Sequence, residues 1–171
     1  MTGSVVFWCF IAVLVFWAIG AYNRLMRLRY QASTAFGLVD EQFRQAIALV
    51  AVTLPDGALS LSAGLRGATD QFEACLKVTR ARPLFAPAMG ALQTAYQTLN
   101  TTWSRMQDQP HDLAGSPIPE SLQLRWSLIV TTADIATQEF NRKVQAYNDA
   151  IRQFPAVLLA TLFGFQAAKP L

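Results

Sequence analysis

The chain has 171 residues, a length that suits one domain or one domain with an anchor. Hydrophobic residues make up 53% and charged residues 15%, against about 25% charged in a soluble domain, so apolar surface must lie in a membrane, a large core or an oligomer interface. The net charge of +3 is too small to indicate nucleic-acid binding, and the two cysteines, Cys9 and Cys75, do not make a disulfide framework.

The first element is an uncharged, proline-free run from Val5 to Tyr22. It would form about 27 Å of helix, which is enough to cross a bilayer core, so the run predicts a transmembrane anchor. The alternative is a cleaved signal peptide, with Ala18-Ile19-Gly20 as a weak cleavage site. The opening residues MTGS lack the positive region of a signal peptide, which favours the anchor.

Three arginines follow the run, Arg24, Arg27 and Arg29, and no basic side chain precedes it. The positive-inside rule therefore predicts an external N-terminus and a cytoplasmic body, in a bacterial inner membrane. At headgroup level each arginine would also attract anionic lipid by about 1 kcal/mol. The simpler interpretation is that these charges only set the topology.

Apolar residues at intervals of three and four predict four helices, with no strand-type alternation. The first continues the anchor as far as Thr53, and the others cover Ala58–Arg82, Pro87–Gln109 and the stretch from near Pro119 to Phe154. Short connections favour antiparallel neighbours, so we expect an all-α protein with an up-down bundle. The predicted divisions are an anchor at 1–22, a helical bundle at 23–153 and an apolar C-terminal segment at 154–171.

That C-terminal segment contains an apolar run of about ten residues, too short to span a bilayer. An up-down bundle would deliver it to the membrane surface. We expect an interfacial segment or an oligomer contact; its contact residues would be Phe154, Leu158, Leu162, Phe163 and Phe165. The alternative is a tail folded over the base of its own bundle.

Groups that would support catalysis or metal binding are scarce. The single histidine, His111, lies in a Pro- and Gly-rich loop, and neither Glu-x-x-His pairs nor Cys/His clusters are present. The acidic pairs Asp40-Glu41 and Asp70/Glu73 suit solvated helix faces better than acid–base sites. We therefore predict no catalytic, metal or cofactor site, no small-molecule substrate and no enzymatic activity.

Three stretches together resemble the LemA family. The junction Ala21–Arg29 is similar to the family's Tyr-Asn-x-Leu signature, and Glu139–Ile151 to its repeated aromatic-Asn pattern. Phe154-Pro155 followed by Leu162-Phe163-Gly164-Phe165 is similar to its terminal Phe-Pro and Phe-Gly-Phe. The departure lies at Arg44–Ala51, which keeps only an arginine and the apolar spacing of the family's Arg-x-Asp-Leu-Ile-Pro-Asn-Leu stretch. The resemblance implies one anchor and a helical bundle, and it supplies no activity.

The repeated asparagines also have a physical interpretation. Asn141 and Asn148 lie one heptad apart, after Phe140 and Tyr147 respectively. An asparagine at a helix seam pairs with another polar group and fixes the register. We expect Asn148 to meet Asn23, which follows Tyr22 at the same end of the bundle, and the alternative is that these residues bind a partner.

The favoured function is a non-enzymatic membrane scaffold or adaptor. Its bundle would present helical surfaces to membrane or cytoplasmic proteins, and copies would form a homo-oligomer. The alternative is a membrane-remodelling or lipid-organising protein that uses the basic junction and the apolar C-terminal segment together on membrane lipids.

Overall fold

A computed structural model describes residues 2–53, 60–108, 119–154 and 156–171, and these form five α-helices. They are α1 (Thr2–Thr53), α2 (Ser60–Ala81), α3 (Ala86–Gln107), α4 (Glu120–Arg152) and α5 (Ala156–Leu162). No strand occurs within these ranges, so the all-α prediction is confirmed. The predicted ends at Arg82, Pro87 and Phe154 shift by one or two residues, and those at Ala58 and Gln109 lie outside the described residues. Pro119 is the N-cap residue of α4 and not its first helical residue.

Helix α1 is one unbroken helix of 52 residues, or about 78 Å. Its first part exposes large apolar side chains, such as Phe10 and Phe16. From Leu25 onward it presents a buried stripe to the other helices. It is the one helix in the described ranges long and apolar enough to cross a membrane. We call the end where α1 enters the bundle the base, and the opposite end the far end.

Aromatic contacts define how the helices pair. Phe36 of α1 meets Phe140 of α4, with ring centroids 5.7 Å apart. Phe43 of α1 packs edge-on against Phe72 of α2 at 5.0 Å, and Tyr96 of α3 completes a three-ring cluster with them. Helix α1 packs mainly on α4, and α2 mainly on α3, in the expected antiparallel order.

Helices α3 and α4 are neighbours that do not pack directly along their lengths. No α-carbon of one lies within 8 Å of an α-carbon of the other, although both helices are fully described. At the far end the gap is bridged by stacked indoles, because Trp103 and Trp126 lie 4.2 Å apart between centroids. Towards the base, the main chains of α3 and α4 therefore stay apart.

The interpretation of Asp40 as a solvated acid is wrong. Its residue is only 8% exposed, and Arg80 of α2 donates to its Oδ1 from Nε at 3.0 Å and from Nη2 at 2.7 Å. Arg44, one turn along α1, adds a contact of 3.4 Å to Oδ2. A carboxylate turned inward is kept there by charged partners, so Asp40 ties α1 to α2, whereas Glu41, Asp70 and Glu73 are exposed.

The two cysteines are both free, Cys9 on the exposed part of α1 and Cys75 half-buried on α2. Pro55, Pro155 and the loop containing His111 lie outside the described residues.

Candidate functional site

The chain reverses direction at the base, immediately after α5. Gly164 adopts a left-handed conformation with φ 68°, and the N–H of Phe165 donates to the carbonyl of Ala160 at 2.9 Å. This is the hydrogen bond of a Schellman cap, in which glycine tolerates the positive φ that other residues resist. The cap sends the remaining residues back up the bundle. We call Gln166–Leu171 the C-terminal tail.

The two phenylalanines beside Gly164, Phe163 and Phe165, both pack against the ring of Tyr22 on α1. The centroid of Tyr22 lies 5.1 Å from that of Phe163 and 5.9 Å from that of Phe165. Such tilted and edge-on pairs stabilise packing by about 0.5–1.5 kcal/mol each. Tyr22 therefore fixes the cap of α5 against α1.

Asn141 and Asn148 hold the C-terminal tail by its main chain. The side-chain amide of Asn148 donates to the carbonyl of Ala168 at 2.8 Å and accepts from the N–H of Ala168 at 2.9 Å. Asn141 does the same with Leu171, at 2.9 and 2.8 Å. Each carboxamide thus replaces the partner strand that an extended chain would otherwise need. The structure gives Asn148 this partner in place of Asn23, which is exposed.

Tyr147 supplies a further contact to the tail. Its hydroxyl donates to the carbonyl of Gln166 at 3.0 Å. Burial raises the pKa of Tyr147, while the nearby charge of Arg29 acts in the opposite direction. The hydroxyl therefore keeps its proton at neutral pH and remains a donor.

An open cleft of about 460 Å³ lies beside this arrangement. It is lined by α1, by the turn between α2 and α3, and by the reversal after α5. Two exposed arginines, Arg29 and Arg82, border it, and no acidic side chain belongs to its lining. Arg24 and Arg27 are exposed as well, and both lie outside the lining of the cleft.

The predicted C-terminal contact residues divide into two groups. Phe165 is half-buried and packs on the bundle, as do the buried Ala160 and Ala168. The other four are exposed, with exposed fractions of 57–81%: Phe154, Leu158, Leu162 and Phe163. The segment therefore folds onto its own base and also presents an apolar rim.

Within the described part of the chain, no group of three or more His, Cys, Asp or Glu side chains is placed to hold a metal ion. His111, for which the sequence predicts no catalytic or metal-binding role, lies outside that part.

Comparison with known protein families gives a match to the LemA family over residues 70–171, more than half of the chain. The chain belongs to the LemA family. Comparisons with curated proteins and with solved structures give no match. The LemA match covers α3, α4, α5 and the C-terminal tail, and so includes Asn141, Tyr147, Asn148 and the Phe163–Phe165 cap. It does not cover Tyr22 of α1, whose ring packs against Phe163 and Phe165.

A tail folded over the base of its own bundle is one of the two alternatives that the sequence leaves open for this LemA protein, but the sequence does not predict that Asn141 and Asn148 hold the tail by its main chain. One signal was available, because a glycine just past an apolar helical run is a common C-cap. The six residues Gln166–Leu171 show neither helical nor strand periodicity, so their position had no side-chain signature.

Proposed function

We propose that this LemA protein is a single-pass membrane protein whose bundle acts as a scaffold for protein partners, with no enzymatic role. The observation that carries the proposal is the continuity of α1. Its exposed apolar part passes without a break into a part buried in the bundle. Exposed apolar side chains in such numbers suit a lipid environment, and the unbroken helix would hold the bundle at a fixed distance from it.

The proposed orientation puts the bundle on the cytoplasmic face of a bacterial inner membrane. It rests on Arg24, Arg27 and Arg29, which follow the apolar part of α1. A protease site placed in the 109–118 connection tests it in spheroplasts. Protection is expected; cleavage of a protein that stays membrane-bound would mean an inverted anchor, and cleavage with loss from the membrane would mean a removed signal peptide.

A surface for partners is available on α4. Leu124, Leu128 and Ile135 are each more than 60% exposed, and their spacings of four and seven residues put them on one side of the helix. Apolar side chains at such spacings are what an amphipathic partner helix contacts.

We would place a photo-crosslinking amino acid at Leu124, Leu128 or Ile135, one position at a time, in native membranes. Each position should give the same discrete crosslinked species. Serine at the two positions that do not carry the probe should remove that species. Val78 on α2 is exposed to a similar extent (61%) and serves as the matched control position. Equal crosslinking from Val78 and from α4 would argue against a specific surface.

A second candidate function is membrane organisation, and the apolar rim favours it. Leu158, Leu162 and Phe163 are exposed. Phe163 packs against Tyr22 at the base, and the two residues that follow it line the cleft bordered by Arg29. An apolar surface flanked by cations is the combination that binds anionic bilayers.

The triple variant Leu158→Ser, Leu162→Ser and Phe163→Ser separates the two functions. Loss of liposome deformation with intact assembly supports membrane organisation, whereas loss of assembly supports the scaffold. Val78→Ser controls for the removal of an exposed apolar side chain elsewhere.

A further inference from the structure

The C-terminal tail contacts both α3 and α4, and we call the surface that it occupies on these two helices the groove. Ala168, in the middle of the tail, is only 4% exposed. On the α3 side, a Cβ added at Gly90 would lie 3.1 Å from the Nζ of Lys169, so the absence of a side chain there gives the lysine room. On the α4 side the tail is held by Asn141, Tyr147 and Asn148.

Recognition in this groove is directed at the main chain. All five hydrogen bonds from the three α4 side chains go to backbone atoms of Gln166, Ala168 and Leu171. The requirements on side chains are few: a small residue at the position of Ala168, an apolar residue at Leu171, which packs against the core, and a chain able to pass Gly90. This is the chemistry of a receptor for an extended peptide, which takes its affinity from backbone hydrogen bonds.

The spacing of the asparagines matches an extended ligand. Seven residues of α4 advance by about 10.5 Å. Three residues of a polyproline II chain advance by about 9.3 Å and bring the same face of the chain round again. Residues 168 and 171 are three apart, and Pro170, which has no N–H to donate, falls between them.

We propose that this groove is an exchangeable peptide site, and that it accepts the Gln166–Leu171 segment of a second copy of this chain. The proposal rests on the proposed membrane scaffold, which it extends to self-assembly through exchanged tails. A second copy supplies the identical backbone, the same small residue and the same lysine, so every contact is kept on exchange.

The connection between α4 and the C-terminal tail allows such an exchange. Gln153 leaves α4 in an extended conformation with ψ 134°, and Gly164 has a positive φ, so a non-helical joint lies on each side of α5. Helix α5 has only seven residues and leaves its apolar rim uncovered. Confinement of copies to one membrane plane would raise their effective concentration, which offsets the entropy lost on association.

Two full-length variants test the exchange by complementation. The donor carries Asn141→Ala and Asn148→Ala, which disable its groove, and a photo-crosslinking amino acid at position 169. The acceptor carries Ala168→Arg, which puts a bulky charge at the buried position of its tail and leaves its groove intact. Ala167→Arg is the matched control, because Ala167 is exposed.

After co-reconstitution in lipid vesicles, we expect a crosslink from position 169 of the donor to α3 of the acceptor, near Gly90. Neither variant alone should give this crosslink between copies, and an added Ala168→Arg in the donor should abolish it while Ala167→Arg should not. The wild-type chain with the same probe must crosslink to α3, which shows that the probe and the fold are intact.

Two results would overturn the proposal. The first is a wild-type crosslink confined to its own chain with no donor–acceptor product, which would make the tail an intramolecular element. The second is a donor–acceptor product that survives Ala168→Arg in the donor, since assembly would then use another surface. Crosslinking from the α4 surface is independent of both, so the scaffold proposal is tested separately.

Discussion

The docking of the C-terminal tail leads to a prediction for Asn148→Ala. The substitution removes two hydrogen bonds to the main chain of Ala168, at 2.8 and 2.9 Å. A hydrogen bond of this kind contributes about 0.5–1.5 kcal/mol net, so docking should weaken by about 1–3 kcal/mol. Because each 1.4 kcal/mol is a factor of ten, this corresponds to a roughly 5- to 150-fold larger undocked population.

Amide hydrogen exchange measures this population directly. The N–H of Leu171 donates to Asn141, which the substitution leaves in place, so it reports the undocked population and should exchange roughly 5- to 150-fold faster in the variant. The N–H of Ala168, which donates to Asn148, should exchange slowly in the wild-type chain and accelerate at least as much, because the substitution also removes its acceptor. Amides in the middle of α4 should be unchanged, since the loss is local.

Asn23→Ala is the matched control, because Asn23 is exposed and the same chemical group is removed. It should leave the exchange of Ala168 unchanged. The reasoning would be refuted if the Ala168 amide exchanged in the wild-type chain at the rate of an unstructured peptide, or if Asn148→Ala left its rate as it was.

Three further predictions concern the base and the inter-helix ion pair. Tyr22→Ala removes two ring contacts of about 0.5–1.5 kcal/mol each, so proteolysis within α5 should accelerate, whereas Tyr22→Phe, which keeps the ring, should not change it. Gly164→Ala forces a Cβ into a left-handed conformation (φ 68°) at a cost of about 1–2 kcal/mol, and faster amide exchange of the C-terminal tail should report it, with Gly164→Asn closer to wild type. Asp40→Asn should lower the free energy of urea unfolding by about 1–2 kcal/mol, less than for a fully buried pair because the Arg80 side chain is 50% exposed. An equal cost in an Arg80→Gln background would show that the ion pair is not the source.

The helical architecture was predictable because it depends on apolar periodicity. The stripe from Leu25 to Val50 on α1 has regular spacing, and the same residues form the core. Burial of that stripe decides which way each helix faces, so order and antiparallel direction follow from the short connections. The described ends of the four predicted helices moved slightly, since fraying and capping are decided by a few local contacts. The apolar C-terminal segment contributes a fifth helix, α5, which is too short for its periodicity to be recognised.

The ion pair of Asp40 was not predictable from its neighbours. In the sequence it stands beside Glu41, and two adjacent acids on a helix suggest a solvated face. Its partner Arg80 lies 40 residues away on another helix. Only the packing of α1 on α2 brings the two groups together, and nothing in the local spacing encodes that contact.

The sequence predicted which asparagines form the candidate site but not what they bind. A heptad spacing of asparagines such as Asn141 and Asn148 serves a helical partner and an extended partner equally well, because both present a matching polar group about every 10 Å. The position of the asparagines was therefore informative, and the identity of their partner was not. The partner is a stretch recognised through its main chain, whose side chains carry no pattern to detect.

In this LemA protein the turn at Phe163–Phe165 and the two asparagines of α4 together determine how the C-terminal tail binds. Gly164 reverses the chain, Tyr147 binds the first residue of the tail, and Asn148 and Asn141 then bind residues two and five positions further on. The turn sets the register for every later contact. A shift of one residue would rotate the bound face of an extended chain away from α4 and turn Ala168 out of its buried position. The Phe-Gly-Phe turn and the paired asparagines therefore depend on each other, although Phe163 lies 15 positions after Asn148 in the sequence.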